Sequence, residues 1–421
     1  MLPYFLFFFY LLCGTILLHW IIRIGKFPFT IYHTWAILFF KIFMGCLYGW
    51  TFLHFYGGDD TWNFFNESKA ETDLLLRNPT HFFDEFLPGY SLQFSGHHTW
   101  SAFLFYVNHF ERWFIIKGLA LLNLVSGKNY YIDVLWFEFF TIPGPLLLYK
   151  LLAKDFPLRA GVNFLLVFFI PSVIFWCSGI RAEGIILFFT MLMIFNGEAY
   201  ARKPSWLHAA GILAGFTGLL LFRYQFLTLF VLPFIAFSIS IHKKVYSPVF
   251  FIRMFAVVGI IFFLSLFLPP DYQLSRPIQH AQESFFHLQG NTRYVLDSLK
   301  PGPISFIKIA PQAISNSSLR PYPWEGKSLL QSVSSVDVIL LIAGLLYFLT
   351  VPERKKSVSH PLYWLFLFYS ICLLIGIGYT VPFPGAIVRY RCIPFLLIYI
   401  FLFSGNPLLQ QKLRYRIFKL H

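Results

Sequence analysis

The stretch "HTWAILFFKIFMGCLYGWTFLHFYGGDDTW", residues 33–62, decides the fold class. Its first part, 33–54, is predominantly apolar. At 1.5 Å of rise per residue, about 20 apolar residues in helical form cross a hydrocarbon core of about 30 Å. The run then stops at Gly57 and Gly58, which allow a tight exit from a helix, and two adjacent carboxylates follow, Asp59 and Asp60. In a chain with only 12% charged residues, such a pair at a membrane boundary asks for a reason.

Working outward, similar runs recur at 3–22, 131–150, 161–178, 184–198, 207–221, 224–241, 248–268, 334–350, 361–378 and 390–405, which with 33–54 makes eleven. The chain has 421 residues, 57% hydrophobic and 21% aromatic, and its 33 basic and 19 acidic residues are too few to coat a soluble protein of this size. The predicted fold is therefore an all-α polytopic membrane protein of about 11 transmembrane helices, a single multi-span domain over 1–421. The opening run "MLPYFLFFFYLLCGTILLHW" has no basic segment before it and no small-residue cleavage site, so it reads as a retained helix.

The formal charge of +14 suggests lipid and topology, and not nucleic acid, because lysines and arginines fall in short gaps between apolar runs. Arg23 and Lys26, Lys154 and Arg159, Arg202 and Lys203, Lys243 and Lys244, Arg354 to Lys356 and the tail "QKLRYRIFKLH" fall on one side. The positive-inside rule makes that side cytoplasmic, with the N-terminus outside and the C-terminus inside. Two large loops, 55–130 and 269–333, then face outward. The part 98–125, aromatic but broken by Asn108, Glu111, Arg112 and Lys117, suits amphipathic helices at the interface, and a short helix is expected near 303–315. The middles of the spans look nearly free of charge.

The outward side collects the unusual polar residues. Asp60 is placed to cap the helix "TWNFFNESKAETDLLL", but either aspartate also suits a base that deprotonates a hydroxyl near an apolar boundary. Asn63, Glu67 and Glu71 share a helical face, which would bring Glu67 toward the same cavity. In "PSVIFWCSGIRAEGII", 171–186, Arg181 is expected to meet a phosphate with Glu183 fixing its guanidinium, or else both snorkel to water. Arg223 is the only charge between two runs, which suggests an anion contact. "SSLRPYPWEG", 317–326, offers Arg320, Trp324 and Glu325, with aromatic faces that suit a sugar ring or an interface anchor. "PFPGAIVRYRCIPF", 382–395, puts Arg389 and Arg391 on the outward side, against the inside bias, so they too ask for an anionic partner.

Five cysteines, Cys13, Cys46, Cys177, Cys372 and Cys392, show no paired spacing and imply neither a disulfide scaffold nor a zinc site. His97 and His98 are an adjacent pair without a further ligand at metal spacing, which leaves a metal unknown and a divalent cation open. No Walker, GxSxG or HExxH pattern appears.

With its many spans, a large outer loop opening on "GGDD" and a second large outer loop before the final spans, the chain resembles the GT-C class of integral membrane glycosyltransferases, and within it is similar to the dolichyl-phosphate-mannose-protein mannosyltransferase group. In that class the acidic loop usually follows the first span, so here an additional helix precedes it. The resemblance implies Asp59 or Asp60 as general base, and Arg223 or Arg389 at the phosphate of a polyprenyl-phosphate-linked sugar. It also implies a bacterial inner-membrane location among bilayer lipids, with a glycan, lipid or protein as acceptor. An O-antigen-type polymerase or ligase using diphosphate-linked glycan is a rival reading, and a lipid-linked sugar transporter or flippase is a third.

Overall fold

The computed structural model describes residues 2–84, 99–155, 160–290, 292–326, 329–350 and 360–403, and its regular elements there are all helices. They are α1 (Leu2–Ile24), α2 (Ile31–Tyr56), α3 (Asp59–Arg77), α4 (Pro79–Asp84), α5 (Thr99–Ser126), α6 (Tyr130–Thr141), α7 (Pro143–Asp155), α8 (Ala160–Phe168) and α9 (Pro171–Trp176). There follow α10 (Ala182–Arg202), α11 (Trp206–Lys243), α12 (Pro248–Ser265), α13 (Arg276–His287), α14 (Pro303–Ile314), α15 (Leu329–Thr350), α16 (Pro361–Thr380), α17 (Pro384–Tyr390) and α18 (Cys392–Phe403). His97, His98, Arg159, Arg354 to Lys356 and the tail lie outside the described residues.

Among the described residues, eight helices are long and apolar enough to cross a membrane: α1, α2, α6 with α7, α10, α11, α12, α15 and α16. The pair α17 and α18, bent by 49°, would make a ninth. The count falls short of the expected eleven because two of those runs, 161–178 and 390–405, are broken, each for a local cause, and because one helix holds two of the others. The run 161–178 is divided into α8 and α9 just before Pro171, whose ring removes a backbone donor and disfavours helix in the residue before it. The run 390–405 begins in α17 and bends at Arg391. The runs 207–221 and 224–241 both lie within α11 and remain two runs, divided by the non-helical backbone of Arg223 (φ −157°, ψ 77°).

That break reverses the chain. Gly211, before Arg223, lies against the side chain of Asn196, whereas Phe234, after it, lies against Gly197. In a straight helix, residues 211 and 234 would be about 35 Å apart. Because they flank neighbouring residues of α10, the two halves of α11 fold back on each other with Arg223 at the bend.

The bundle has two unlike ends. At one, Phe27 stacks against Tyr149, Lys154 pairs with Glu198 at 2.9 Å, Arg202 reaches the same carboxylate at 2.8 Å, and Tyr246 stacks on His360. These are the ends where the basic gaps lie. At the other end, α2 runs into α3 through a two-residue turn in which the N–H groups of Gly57 and Gly58 both donate to the Phe52 carbonyl. There α3 lies along α5: Glu71 pairs with Lys117 at 2.6 Å, Asn123 Nδ2 donates to Ser68 and Thr72, and Glu67 pairs with Arg112. Thus the 55–130 segment holds two long helices packed on each other, and α5 is one continuous helix. The helix expected near 303–315 is α14.

The interior carries more charge than hydropathy suggested. Lys41 in α2 and Glu138 in α6 form a buried ion pair at 2.6 Å, and Asp133 and Asp337 are also buried. An average over a span dilutes one charge among its many apolar neighbours, so it cannot register a pair made across helices.

Candidate active site

The site begins at the α2–α3 turn. Gly57 (φ 71°) and Gly58 (φ 112°) adopt left-handed backbone that a side chain would strain, and they deliver Asp59 and Asp60 into the first turn of α3. Carboxylates there oppose the positive end of the helix dipole. The turn is pinned by Trp62, whose Nε1 donates to the Gly49 carbonyl at 2.8 Å and whose ring stacks on Tyr130 at 4.0 Å, and by Thr61, 2.7 Å from the Tyr130 hydroxyl. Asp60 is not the helix cap; Gly58 holds that position, and the aspartate side chain goes elsewhere.

It goes to Arg181. The guanidinium NH1 donates to Asp60 Oδ2 at 2.9 Å, NH2 to Asp59 Oδ2, and Nε to the Tyr48 hydroxyl at 2.5 Å. Arg181 immediately precedes α10, and its side chain is only 6% exposed, so it does not snorkel. Arg389, from α17, brings NH1 within 3.8 Å of Asp60 Oδ2 and Nε within 3.1 Å of Glu183 Oε1. Glu183 therefore sits on Arg389 and not on Arg181 as expected. Its carboxylate is buried and accepts no hydrogen bond from the described residues.

Arg389 NH2 also donates to the Tyr390 hydroxyl at 2.9 Å, and Arg223 lies 5.9 Å from the centre of the same tyrosine ring. Arg223 forms a two-pronged pair with Glu111 of α5, at 3.0 Å and 3.3 Å. Burial raises the Glu111 carboxyl above its ordinary range, and the Arg223 charge opposes that rise. Phe110 and Phe114 pack edge-on against Phe222, which fixes α5 on the bend of α11.

Three of the five expected arginines thus converge, from elements far apart in the chain. Glu111 was not among the expected site residues; its one signal was a carboxylate inside the aromatic run of 98–125. With Asp59, Asp60, Glu111 and Glu183 beside Arg181, Arg223 and Arg389, the cluster is close to charge balance instead of strongly cationic.

The other expected residues lie apart from this network. Glu67 pairs with Arg112, with both side chains about half exposed, and does not join the arginine cluster. Arg391 is fully buried: NH1 donates to the Arg320 carbonyl and NH2 to the Ser334 carbonyl at 3.2 Å. Its prongs are committed to backbone, which corrects its assignment to substrate. Arg320 stacks over Tyr294 at 3.9 Å and pairs with Glu325 at 2.5 Å, while Trp324 is 79% exposed and stacks on Tyr322. Among the described residues no group of three histidine, cysteine or acidic side chains is arranged to hold a metal ion. The sulfurs of Cys177 and Cys392, 215 positions apart, are 3.6 Å from each other.

The 320–326 strip yields a pH prediction. Hydrogen bonds from Arg320 hold the Glu325 carboxyl below its ordinary range. A folded pKa lower than the unfolded one contributes stability above the unfolded value, roughly 4.3, and that contribution is lost as pH falls through the folded value. Acidification below about pH 4 is therefore expected to loosen the strip. Trp324 emission, read against a Trp324→Phe control, should change over that window, and Glu325→Gln should remove the change.

No family model matches the chain, and neither a curated protein nor a solved structure matches it.

Proposed function

We propose that the protein is a membrane glycosyltransferase that moves a sugar from a polyprenyl-phosphate-type donor to an envelope glycan, lipid or protein acceptor. The observation that carries this reading is the convergence of the α2–α3 aspartates with Arg181 and Arg389 at one end of an apolar bundle. A hydroxyl acceptor needs a carboxylate to take its proton as it attacks the anomeric carbon, and a departing phosphate needs fixed cations. Both kinds of group stand within one cluster of hydrogen bonds and ion pairs here, beside long apolar helices that suit a polyprenyl tail.

In this mechanism Asp60 is the better base of the two aspartates. Its side chain is 53% exposed against 30% for Asp59, and its contacts with Arg181 and Arg389 are both made through Oδ2. The acceptor C–O bond forms as the bond from anomeric carbon to phosphate oxygen breaks, the proton passes to the carboxylate, and the electron pair leaves with the phosphate. Attack from the face opposite the phosphate inverts the sugar. Charge builds on the leaving oxygens, so Arg389 and Arg223 stabilise the transition state more than the bound donor. Near charge balance means that phosphate must share guanidinium edges already held by carboxylates, which favours a group whose charge increases during reaction.

The protein would lie in the bacterial cytoplasmic membrane with this cluster outward and the basic gaps inside. Trp324 and Tyr322 would offer stacking faces to the acceptor. The pair Lys41–Glu138 is an ionic group of the kind a transporter uses, but it is buried and each partner is held by further contacts, so it lends transport little support.

The test supplies the purified protein in liposomes with radiolabelled polyprenyl-phosphate sugars and, separately, with diphosphate-linked repeats. Product from the first set supports the reading. Product from the second alone would replace it with a polymerase, and translocation of donor without transfer would replace it with a flippase.

A further inference from the structure

The buried ion pair inside the bundle lies next to the turn that carries Arg181. Lys41 Nζ is 2.6 Å from Glu138 Oε2 and donates at 2.9 Å to the Cys177 carbonyl, with Ser178 Oγ at 3.5 Å. Glu138 uses its other oxygen, Oε1, to accept the Gly179 N–H, and Thr141 Oγ1 donates to Oε2 at 3.2 Å. The side chains of Lys41 and Glu138 are 7% and 0% exposed. Two charges are thus withdrawn from water, and each spends a contact on the backbone of residues 177–179, two to four positions before Arg181.

The surroundings are shaped for this. Gly179 has φ 81°, so the turn takes a backbone that other residues resist. A Cβ on Gly45 would fall 2.7 Å from Glu138 Oε1 and 2.9 Å from the Gly179 nitrogen, so only glycine lets α2 approach this closely. Ile180 and Ala182 are buried on either side of Arg181, which leaves the turn little freedom once its carbonyl and amide are held. Burying an ion pair seldom stabilises a fold more than apolar residues of the same volume would. Such a pair is better explained by the geometry it imposes.

We propose that Lys41 and Glu138 are positioning residues: they clamp the 177–179 backbone so that the Arg181 guanidinium is presented to Asp59, Asp60 and the donor phosphate. The assignment of the phosphate rests on the glycosyltransferase reading; the clamp itself does not. Arg181 has three partners in fixed directions, and a shift of about 1 Å at its backbone would break that fork, with losses that reach about a hundredfold in comparable sites.

The test uses the full chain in nanodiscs and the double variant Lys41→Met/Glu138→Met, which removes both charges together and leaves neither unpaired. Hydrogen exchange over residues 176–185 is expected to rise about tenfold or more, with exchange along the rest of α10 unchanged. In the transfer assay the KM for polyprenyl-phosphate sugar should rise about tenfold while kcat stays within about twofold, a split that general destabilisation would not produce. Lys41→Arg, which keeps the charge, should restore part of the protection lost in Lys41→Met.

Unchanged exchange at 176–185 in the double variant would overturn the clamp, even if wild-type protein transfers sugar. Raised exchange with no transfer by the wild type on any donor would leave the clamp standing and remove the glycosyltransferase reading. If the double variant does not fold, the wild type decides: the Gly179 amide should exchange as slowly as the amides within α10, and exchange as fast as at Gly127 would sink the proposal.

Discussion

Asp60→Asn is expected to lower kcat for sugar transfer by about a thousandfold while changing the donor KM little, because general-base removal typically costs 10² to 10⁴ in rate. The amide has the same shape, cannot take the acceptor proton, and still offers an oxygen to Arg181 NH1. Arg181 also keeps Asp59 and Tyr48, so the fold should persist. Asp59→Asn should have the smaller effect, since that carboxylate is the more enclosed of the two. Asp59 follows two glycines of positive φ and itself has φ 50°, a conformation that asparagine tolerates well, so the substitution adds little strain. Steady-state transfer with both single variants and the double variant checks the assignment. Normal rates in all three would leave the aspartates a structural role only.

The second large effect is expected at Arg181. Arg181→Ala removes three hydrogen bonds at once and leaves Asp59 and Asp60 adjacent without their principal counter-charge. Breaking a fully buried pair costs roughly 3–5 kcal/mol. The exposure of Asp59 and Asp60 lets water screen part of this, so about 2 kcal/mol of destabilisation is expected. Transfer should fall further than folding does, by at least about a hundredfold, because the donor phosphate loses its fork as well. Arg181→Lys separates the two contributions. A lysine restores the charge but has one ammonium where three directed contacts are made, so stability should return in part and transfer should not. Thermal unfolding and transfer measured together on both variants check this; full transfer by Arg181→Lys would show that charge alone suffices and that the fork is dispensable.

Much of the site was visible along the chain, and its gaps are instructive. Asp59, Asp60, Arg181, Arg223 and Arg389 each stood out because each interrupts or ends an apolar run, where an unneeded charge is costly. Glu183 was noticed but matched with the arginine two positions away, when its partner proved to be Arg389, more than two hundred positions on. Glu111 was read as part of an amphipathic surface because a helix with Asn108, Arg112 and Lys117 nearby looks hydrated. Its burial follows from Phe222 packing on the adjacent Phe110 and Phe114, a contact between segments with no shared local pattern. Arg391 was grouped with Arg389 by proximity, yet the bend at residue 391 turns it toward the carbonyls of 320 and 334.

By itself the sequence determined that this is a helical protein built to sit in a bilayer, because hydropathy adds up over neighbours in the chain and needs no knowledge of what packs on what. It also marked the ends of helices, through glycine, proline and adjacent charge. Only the tertiary structure decided which charges meet and that a lysine and a glutamate lie paired inside the bundle. A charge's partner is set by which helices lie side by side. At close range in a medium of low dielectric, that choice governs whether the same residue is a hydrated surface group, a structural tether or a candidate for chemistry.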